Sequence, residues 1–305
     1  MRFGAIDVGT NSCRMLIVDY VNKEMKIFKQ DLRITRLGEG VDSSGKLSEN
    51  AVNRAIAVIK EFVEKMNIFD VDDIVINGTS AIRDVDNADI LIDAISEQTG
   101  CELNIISGEK EAELNYLGVG FGNSKDLIID IGGGSTEFIW HEHDDIKFKS
   151  LNMGSVRMTE RFIENPDSLI TGDEMEVISS EVKELMICKL ETLFSEDIER
   201  ITGLGGTITT LAAIDQDLLE HDRKKIQGYQ LQKSKIRNII DSLAAKTIEE
   251  RKNTNGLQPG RADVIVAGGE ILYTVMNILN FDEILVSEYD LLFGAVRELI
   301  DKHIC

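Results

Sequence analysis

Prolines are almost missing from this chain, with two in 305 residues, and there is a single tryptophan. So little proline excludes collagen-like and extended Pro-rich architectures, while 43% hydrophobic and 29% charged residues exclude a disordered chain. No apolar run approaches the ~20 residues that cross a bilayer. The N-terminus runs straight into Met1-Arg2-Phe3-Gly4-Ala5-Ile6-Asp7 without a signal-peptide core, so the expectation is a cytoplasmic protein with no membrane partner. Cys13, Cys101, Cys188 and Cys305 show no CxxC spacing, which favours reduced packing or surface thiols over a disulfide framework or zinc site. Basic residues are also scarce: 33 against 54 acidic ones give a formal charge of -21, a field that repels nucleic acid and other polyanions. Nucleic acid is therefore excluded as a partner, and an anionic ligand needs a local positive site.

What is present is a repeated pattern in a chain about twice the usual ~100 to 200 residues of one domain. Strands are predicted over Phe3 to Val8, Arg14 to Val21 and Met25 to Leu32, joined by short turns as an antiparallel meander. A helix follows, capped by Ser48 and carrying Val52, Ile56, Ile59, Val63 and Met66 at spacings of three and four. A buried strand (Ile74 to Asn77), a helix around Ile90 to Ser96, a strand (Leu103 to Ile106) and a helix opening at Ser107-Gly108 complete the order βββαβαβα. The layout then starts again: Asp126-Leu-Ile-Ile-Asp130-Ile-Gly-Gly-Gly-Ser135 repeats Phe3-Gly-Ala-Ile-Asp7-Val-Gly-Thr-Asn-Ser12 at a spacing of 123 residues. Strands Glu137 to Trp140 and Ile146 to Leu151 flank a turn at Glu142-His143-Asp144-Asp145, and Arg200 to Gly203 and Glu283 to Val286 read as further strands. The domain boundary is expected near residue 124, giving domains 1–124 and 125–305, with the last helix free to pack back on the first.

Each copy carries a carboxylate at a strand end followed by a tight turn. In the first, Asp7 precedes Thr10, Asn11 and Ser12, with Arg14 beside the turn; such a turn holds a phosphate while the Asp binds Mg2+, or it simply closes a hairpin. In the second, three consecutive glycines, Gly132, Gly133 and Gly134, are costly between strands unless backbone must approach something closely. Their N–H groups suit a phosphate, Ser135 adds a hydroxyl, and Asp130 and Glu137 flank the loop. A third glycine turn, Gly203-Leu-Gly205-Gly206-Thr207, runs from a strand into a helix and offers a helix N-terminus to an anion. Among the acidic residues opening the helix after Ser107, Glu109 and Glu113 share a face and Glu111 points the other way. Arg83, Arg157, Arg161 and Arg261 also stand near glycine turns, as anion binders or as partners of local carboxylates. His141 and His143 read as a metal pair or as a solvated hairpin tip.

Taken in order, Asp7-Val-Gly-Thr-Asn-Ser-Cys-Arg14, Thr79-Ser-Ala-Ile-Arg-Asp84, Ile106-Ser-Gly-Glu-Lys-Glu-Ala112, Asp130 to Glu137, Met153-Gly-Ser-Val-Arg157, Gly203 to Leu211 and Pro259 to Gly268 resemble the exopolyphosphatase and guanosine pentaphosphate phosphohydrolase (Ppx/GppA) family of the actin, sugar kinase and Hsp70 superfamily. The resemblance implies an α/β fold of two ribonuclease-H-like (actin-like ATPase) domains, mixed sheets flanked by helices, with the active site in the interdomain cleft. It implies a Mg2+-dependent phosphohydrolase that releases orthophosphate from the end of inorganic polyphosphate or from pppGpp. Glu111 resembles the general base, with Glu137 as rival; Asp7, Asp130 and Glu137 resemble the metal-side carboxylates. Gly132, Gly133, Gly134 and Ser135 resemble the phosphate loop, and Arg83 and Arg261 the chain-binding cations.

Two departures stand out. Longer members append a helical HD-like domain and a further C-terminal domain, which these 305 residues are not expected to contain, and Ser287-Glu-Tyr-Asp-Leu-Leu-Phe-Gly294 places Leu292 where the family usually has Arg. Two other functions fit the residues less well: an ATP-dependent phosphotransferase, which needs an acceptor site, and a non-catalytic polyphosphate or nucleotide sensor, which has no use for Glu111. The choice between polyphosphate and pppGpp, the chain-length preference and the oligomeric state, a homodimer included, are not written in the motifs.

Overall fold

The computed structural model describes residues 1–120, 125–143 and 145–304. The boundary expected at residue 124, Asp144 of the predicted hairpin turn and Cys305 lie outside the described residues. The chain divides into two compact units, Met1–Gly120 with Tyr289–Cys305, and Phe121–Glu288, so the last helix counts with the first unit. No helix among the described residues is long and apolar enough to cross a membrane.

In the first unit, β1 (Arg2–Val8), β2 (Ser12–Val21) and β3 (Glu24–Ile34) form the antiparallel meander, and α1 (Val41–Ser44) and α2 (Glu49–Ile68) follow. Next come β4 (Asp73–Gly78), α3 (Ser80–Arg83), α4 (Asp89–Thr99), β5 (Leu103–Ile105) and α5 (Gly108–Val119). The sheet order is β3-β2-β1-β4-β5, with β1, β4 and β5 parallel. Ser48 caps α2 by accepting from the Ala51 N–H at 3.3 Å. Of the stripe read from the sequence the helix buries Val52, Ile59, Val63 and Met66 and leaves Ile56 half-buried, while Ala51, Ala55 and Phe62 widen it.

The second unit repeats the plan with β6 (Asp126–Ile131), β7 (Thr136–Glu142) and β8 (Asp145–Leu151), then α6 (Ser155–Phe162), α7 (Gly172–Lys189), β9 (Arg200–Leu204) and α8 (Gly205–Asp215). After these come α9 (Arg223–Ile226), β10 (Gln230–Gln232), α10 (Lys233–Ala244), α11 (Ile248–Lys252), α12 (Ile265–Ile278) and β11 (Glu283–Val286). The order β10-β11-β9-β6-β7-β8 matches the first sheet strand for strand, with β10 added at one edge. Three residues of Gln-Leu-Gln with one buried side chain are too short and too polar to show as a strand in sequence. Two mixed sheets flanked by helices give the α/β class that the motifs implied.

The C-terminal helix α13 (Leu291–Ile304) lies on α5 with backbone touching backbone: a Cβ at Gly294 would stand 1.8 Å from Leu114 O, and one at Gly118 2.1 Å from Asp290 O. Leu292 is buried there in one cluster with Phe3, Ala5 and Leu16, so the position where the resemblance implied Arg is apolar core in this chain. Because main-chain atoms cannot swing aside, Gly294→Ala is expected to lower stability by about 1–3 kcal/mol, measured by denaturant unfolding. An unchanged midpoint would show that the two helices separate without cost.

Candidate functional site

The first unit gathers its candidate residues at the β1–β2 turn. Gly9 N–H donates to Ser12 O at 3.0 Å and closes the turn. Its carbonyls are taken from the other side: Thr10 O accepts from Gly38 N–H at 2.8 Å, and Asn11 O from Thr35 at 3.0 Å and Arg36 at 2.9 Å. Asp7 faces Arg14 across β1 and β2, and Arg14 donates to Asp7 Oδ2 from Nε at 2.9 Å and Nη2 at 2.6 Å, while Nη1 donates to Asp290. Asp7 Oδ1 and Asn11 Nδ2, an acceptor and a donor, are buried with no hydrogen-bond partner. Burial pushes the Asp7 carboxyl upward; Arg14 works against this and the neighbouring Asp290 adds to it. Behind the turn, burial pushes the Cys13 thiol up to about 12, so it is packing and not a nucleophile.

Glu111 sits in the first turn of α5, which Ser107 caps by accepting from the Lys110 N–H at 3.1 Å. Glu111 is buried whereas Glu109 and Glu113 are exposed, the facing that helix geometry requires. Arg83 Nη1 donates to Ile106 O at 3.0 Å and reaches Glu111 Oε2 at 3.3 Å, so the candidate cation and the candidate base are partners.

The second unit builds its cluster around the three glycines. Gly132 N–H donates to Ser135 O at 3.0 Å, the same closure as in the first copy. The first turn of α6 takes the loop carbonyls: Ser155 N–H donates to Gly132 O at 2.9 Å, and Val156 and Arg157 N–H donate to Gly133 O at 2.8 and 3.1 Å. In a planar trans peptide the next N–H points opposite to the carbonyl, so Gly133 and Gly134 turn their N–H groups away from α6. No hydrogen bond among the described residues uses these two groups, an arrangement of main-chain donors, a nest, that can receive an anion. Gly154 permits the approach, since a Cβ there would stand 2.3 Å from Gly133 C and O.

Around this nest Asp130 and Glu137 are register partners on β6 and β7, two carboxylates on one face of the sheet. Glu137 is fully buried and its Oε1 accepts from Ser150 Oγ at 2.7 Å. Gly205 adopts φ +85°, and a Cβ on it would stand 2.3 Å from Asp130 Oδ1. A Cβ on Gly206 would stand 2.2 Å from both terminal nitrogens of Arg261, so the guanidinium lies on the glycine turn that opens α8. Thr207 is turned into the packing, its Oγ1 2.8 Å from where a Gly268 Cβ would stand. Among the described residues no three His, Cys, Asp or Glu side chains stand together as a metal cage, and His143 is an exposed turn residue.

The second unit thus brings together Asp130, Glu137, Gly132 to Ser135, Gly205, Gly206 and Arg261. The first brings together Asp7, Thr10, Asn11, Ser12 and Arg14, and pairs Arg83 with Glu111. Sequence reasoning missed Asp290 and Gly38, which become partners of the first turn only through tertiary contact. Removing Arg14 leaves two mostly buried carboxylates facing each other. Arg14→Met is expected to cost about 3–5 kcal/mol at neutral pH. Without Arg14 the Asp7 carboxyl rises further, so the variant binds its proton at higher pH and the deficit shrinks on acidification. Thermal melts from pH 7 down to 4 check this, and a pH-independent deficit would contradict it.

The profile of the Ppx/GppA phosphatase family matches residues 16–303. The chain is 34% identical over 312 residues to a bifunctional 3-dehydroquinate synthase/phosphatase of Fusobacterium nucleatum, covering 98% of this chain and 46% of that protein. It thus spans about half the length of that relative. It is 30% identical over 315 residues to exopolyphosphatase 2 of Mycobacterium tuberculosis, covering 98% of both. The crystal structure of an exopolyphosphatase from Cytophaga hutchinsonii, 28% identical, superimposes with a TM-score of 0.91 over 99% of this chain and 98% of that one. With two duplicated Asp-turn motifs in place and a family match running nearly from end to end, the chain belongs to the Ppx/GppA phosphatase family.

Proposed function

We propose that this protein is a Mg2+-dependent phosphohydrolase that releases orthophosphate from the terminal phosphoanhydride of inorganic polyphosphate or of pppGpp. The observation that carries the reading is the second-unit nest: backbone N–H groups turned to one side, next to a carboxylate pair and a buried guanidinium. That combination serves a phosphate and a hard cation together. The near end-to-end match to a protein named exopolyphosphatase 2 points the same way.

The residues fit Mg2+. Asp7 offers a buried oxygen with no hydrogen-bond partner, and Asp130 and Glu137 oppose two like charges that favour a shared cation. Magnesium takes one or two carboxylates and completes its shell with substrate oxygens and water, so no three-carboxylate cage is needed. Asp130 and Glu137 are the residues of the second unit that would hold it, Asp7 being the equivalent carboxylate of the first, and when bound it offsets charge on the phosphoryl oxygens.

In this reading Glu111 orients the attacking water and accepts its proton on a carboxylate oxygen, while Arg83 holds Glu111 in place. The water oxygen bonds to the terminal phosphorus and the bridging P–O bond breaks, leaving orthophosphate and a chain one unit shorter. Gly133 and Gly134 N–H groups stabilise charge on the transferring phosphoryl, and Arg261 with the N-terminus of α8 binds its oxygens. Ser135 and the first-unit Thr10, Asn11 and Ser12 supply further hydroxyl and amide contacts.

Phosphate release from polyphosphate, pppGpp and ATP, each with and without Mg2+, tests the reading. Release from polyphosphate or pppGpp only with Mg2+ is expected; phosphoryl transfer from ATP to an acceptor, or binding without turnover, would overturn it. In the same assay Glu111→Gln is expected to lose roughly 100- to 10,000-fold in kcat with binding retained. Glu137→Gln should raise the Mg2+ midpoint while lowering turnover. Near wild-type turnover in the first variant, with turnover lost at constant metal affinity in the second, would reverse the two roles.

A further inference from the structure

Arg157 follows the glycine that touches the phosphate loop, and its side chain does something the sequence does not announce. Its Nε donates to Gly134 O at 2.8 Å, while its own backbone N–H donates to Gly133 O at 3.1 Å. One residue therefore grips two successive carbonyls of the loop from the first turn of α6. Peptide planarity orients the next residue as it does Gly133 and Gly134: with Gly134 O held on Arg157, the N–H of Ser135 points the opposite way. As with its two neighbours, no hydrogen bond among the described residues uses the Ser135 N–H. Val156 and Ser155 hold the other carbonyls by main-chain N–H groups, which any residue supplies, whereas the Gly134 carbonyl depends on a side chain.

We propose that Arg157 is a positioning residue whose Nε–Gly134 O bond aims the Ser135 N–H, the third donor of the nest, at the transferring phosphoryl. The inference rests on the phosphohydrolase reading above. A guanidinium suits the task because Nε is a fixed donor in a planar group whose direction is set by the rest of the fork. A Lys ammonium reaches the same carbonyl from a flexible stem and holds it less firmly. Misdirection of one donor acts in the transition state, where charge on the phosphoryl oxygens develops, more than in ground-state binding.

The test compares wild type, Arg157→Met and Arg157→Lys by steady-state phosphate release from polyphosphate at two salt concentrations and by amide 1H–15N resonances without substrate. A misplaced donor is expected to lower kcat of Arg157→Met roughly 10- to 100-fold. KM should stay within about twofold with its salt dependence unchanged, since the loss is one of aim. Arg157→Lys should recover part of the loss, and the Ser135 amide resonance should move in Arg157→Met before any ligand is added. A large rise in KM with kcat retained and a weakened salt dependence would overturn the proposal, because Arg157 would then be a direct contact to the chain. A Ser135 resonance unmoved in Arg157→Met would overturn it too, whatever the kinetics. If the wild type releases no phosphate, the phosphohydrolase reading fails, while the Ser135 resonance still decides whether Arg157 aims that amide.

Discussion

Backbone carbonyls of a glycine turn, tied to the segment that follows the third strand of the meander, set the direction of everything else in this protein. In the second unit Gly132 O and Gly133 O are held by the N–H groups of Ser155, Val156 and Arg157; in the first, Thr10 O and Asn11 O are held by those of Gly38, Thr35 and Arg36. Glycine-rich turns are otherwise the freest parts of a chain, so a nest of N–H groups has a defined aim only when the opposite edge of each peptide is fixed. The same device explains two glycines at the far end of each tie. A Cβ at Gly38 would stand 2.2 Å from Thr10 Cγ2, and one at Gly154 2.3 Å from the Gly133 carbonyl. Duplication has copied the turn together with its clamp.

The copies differ in what faces the aspartate. Asp7 and Asp130 are equivalent, and so are the residues opposite them in the antiparallel pair, Arg14 and Glu137. In the first unit the carboxylate is therefore paired with a cation of the protein itself, and Arg14 reaches on to Asp290 just before α13. In the second the residue opposite is itself a carboxylate, and two like charges brought close on one face disfavour full ionisation without a cation. One substitution of sign thus separates an ion pair within the protein from the pair proposed to hold a cation on an equivalent backbone. In the proposed function this difference reconciles a chain of charge -21 with a polyanionic substrate, because the positive charge would be local: a cation, Arg261 and the turned N–H groups.

Much of this was legible in the sequence because it rests on local rules. Alternation and turn residues gave the two meanders, the spacing of Asp7 and Asp130 gave the duplication, and 3.6-residue periodicity turned Glu111 inward while Glu109 and Glu113 faced out. The unread parts are those set by contacts distant in the chain. Arg14 read as an anion binder or as the partner of a local carboxylate, and its second partner, Asp290, stayed unread because it lies 276 residues away. Thr207 read as a ligand contact, yet its side chain packs against Gly268 of α12. Arg157 carried the right charge for a substrate contact, and only the position of the Gly134 carbonyl reveals what its Nε holds. Edge strand β10 escaped because three residues cannot show a period.

The central claim is that the second-unit turn binds phosphate through its main chain. Calorimetric titration of inorganic tripolyphosphate in the presence of Mg2+, for the wild type and for Gly133→Val, tests it most directly, since a β-branched side chain blocks the approach to that backbone. The account predicts a saturable binding heat for the wild type, its loss in Gly133→Val, and closely similar melting curves for the two proteins. Tripolyphosphate bound by Gly133→Val with wild-type affinity would contradict it.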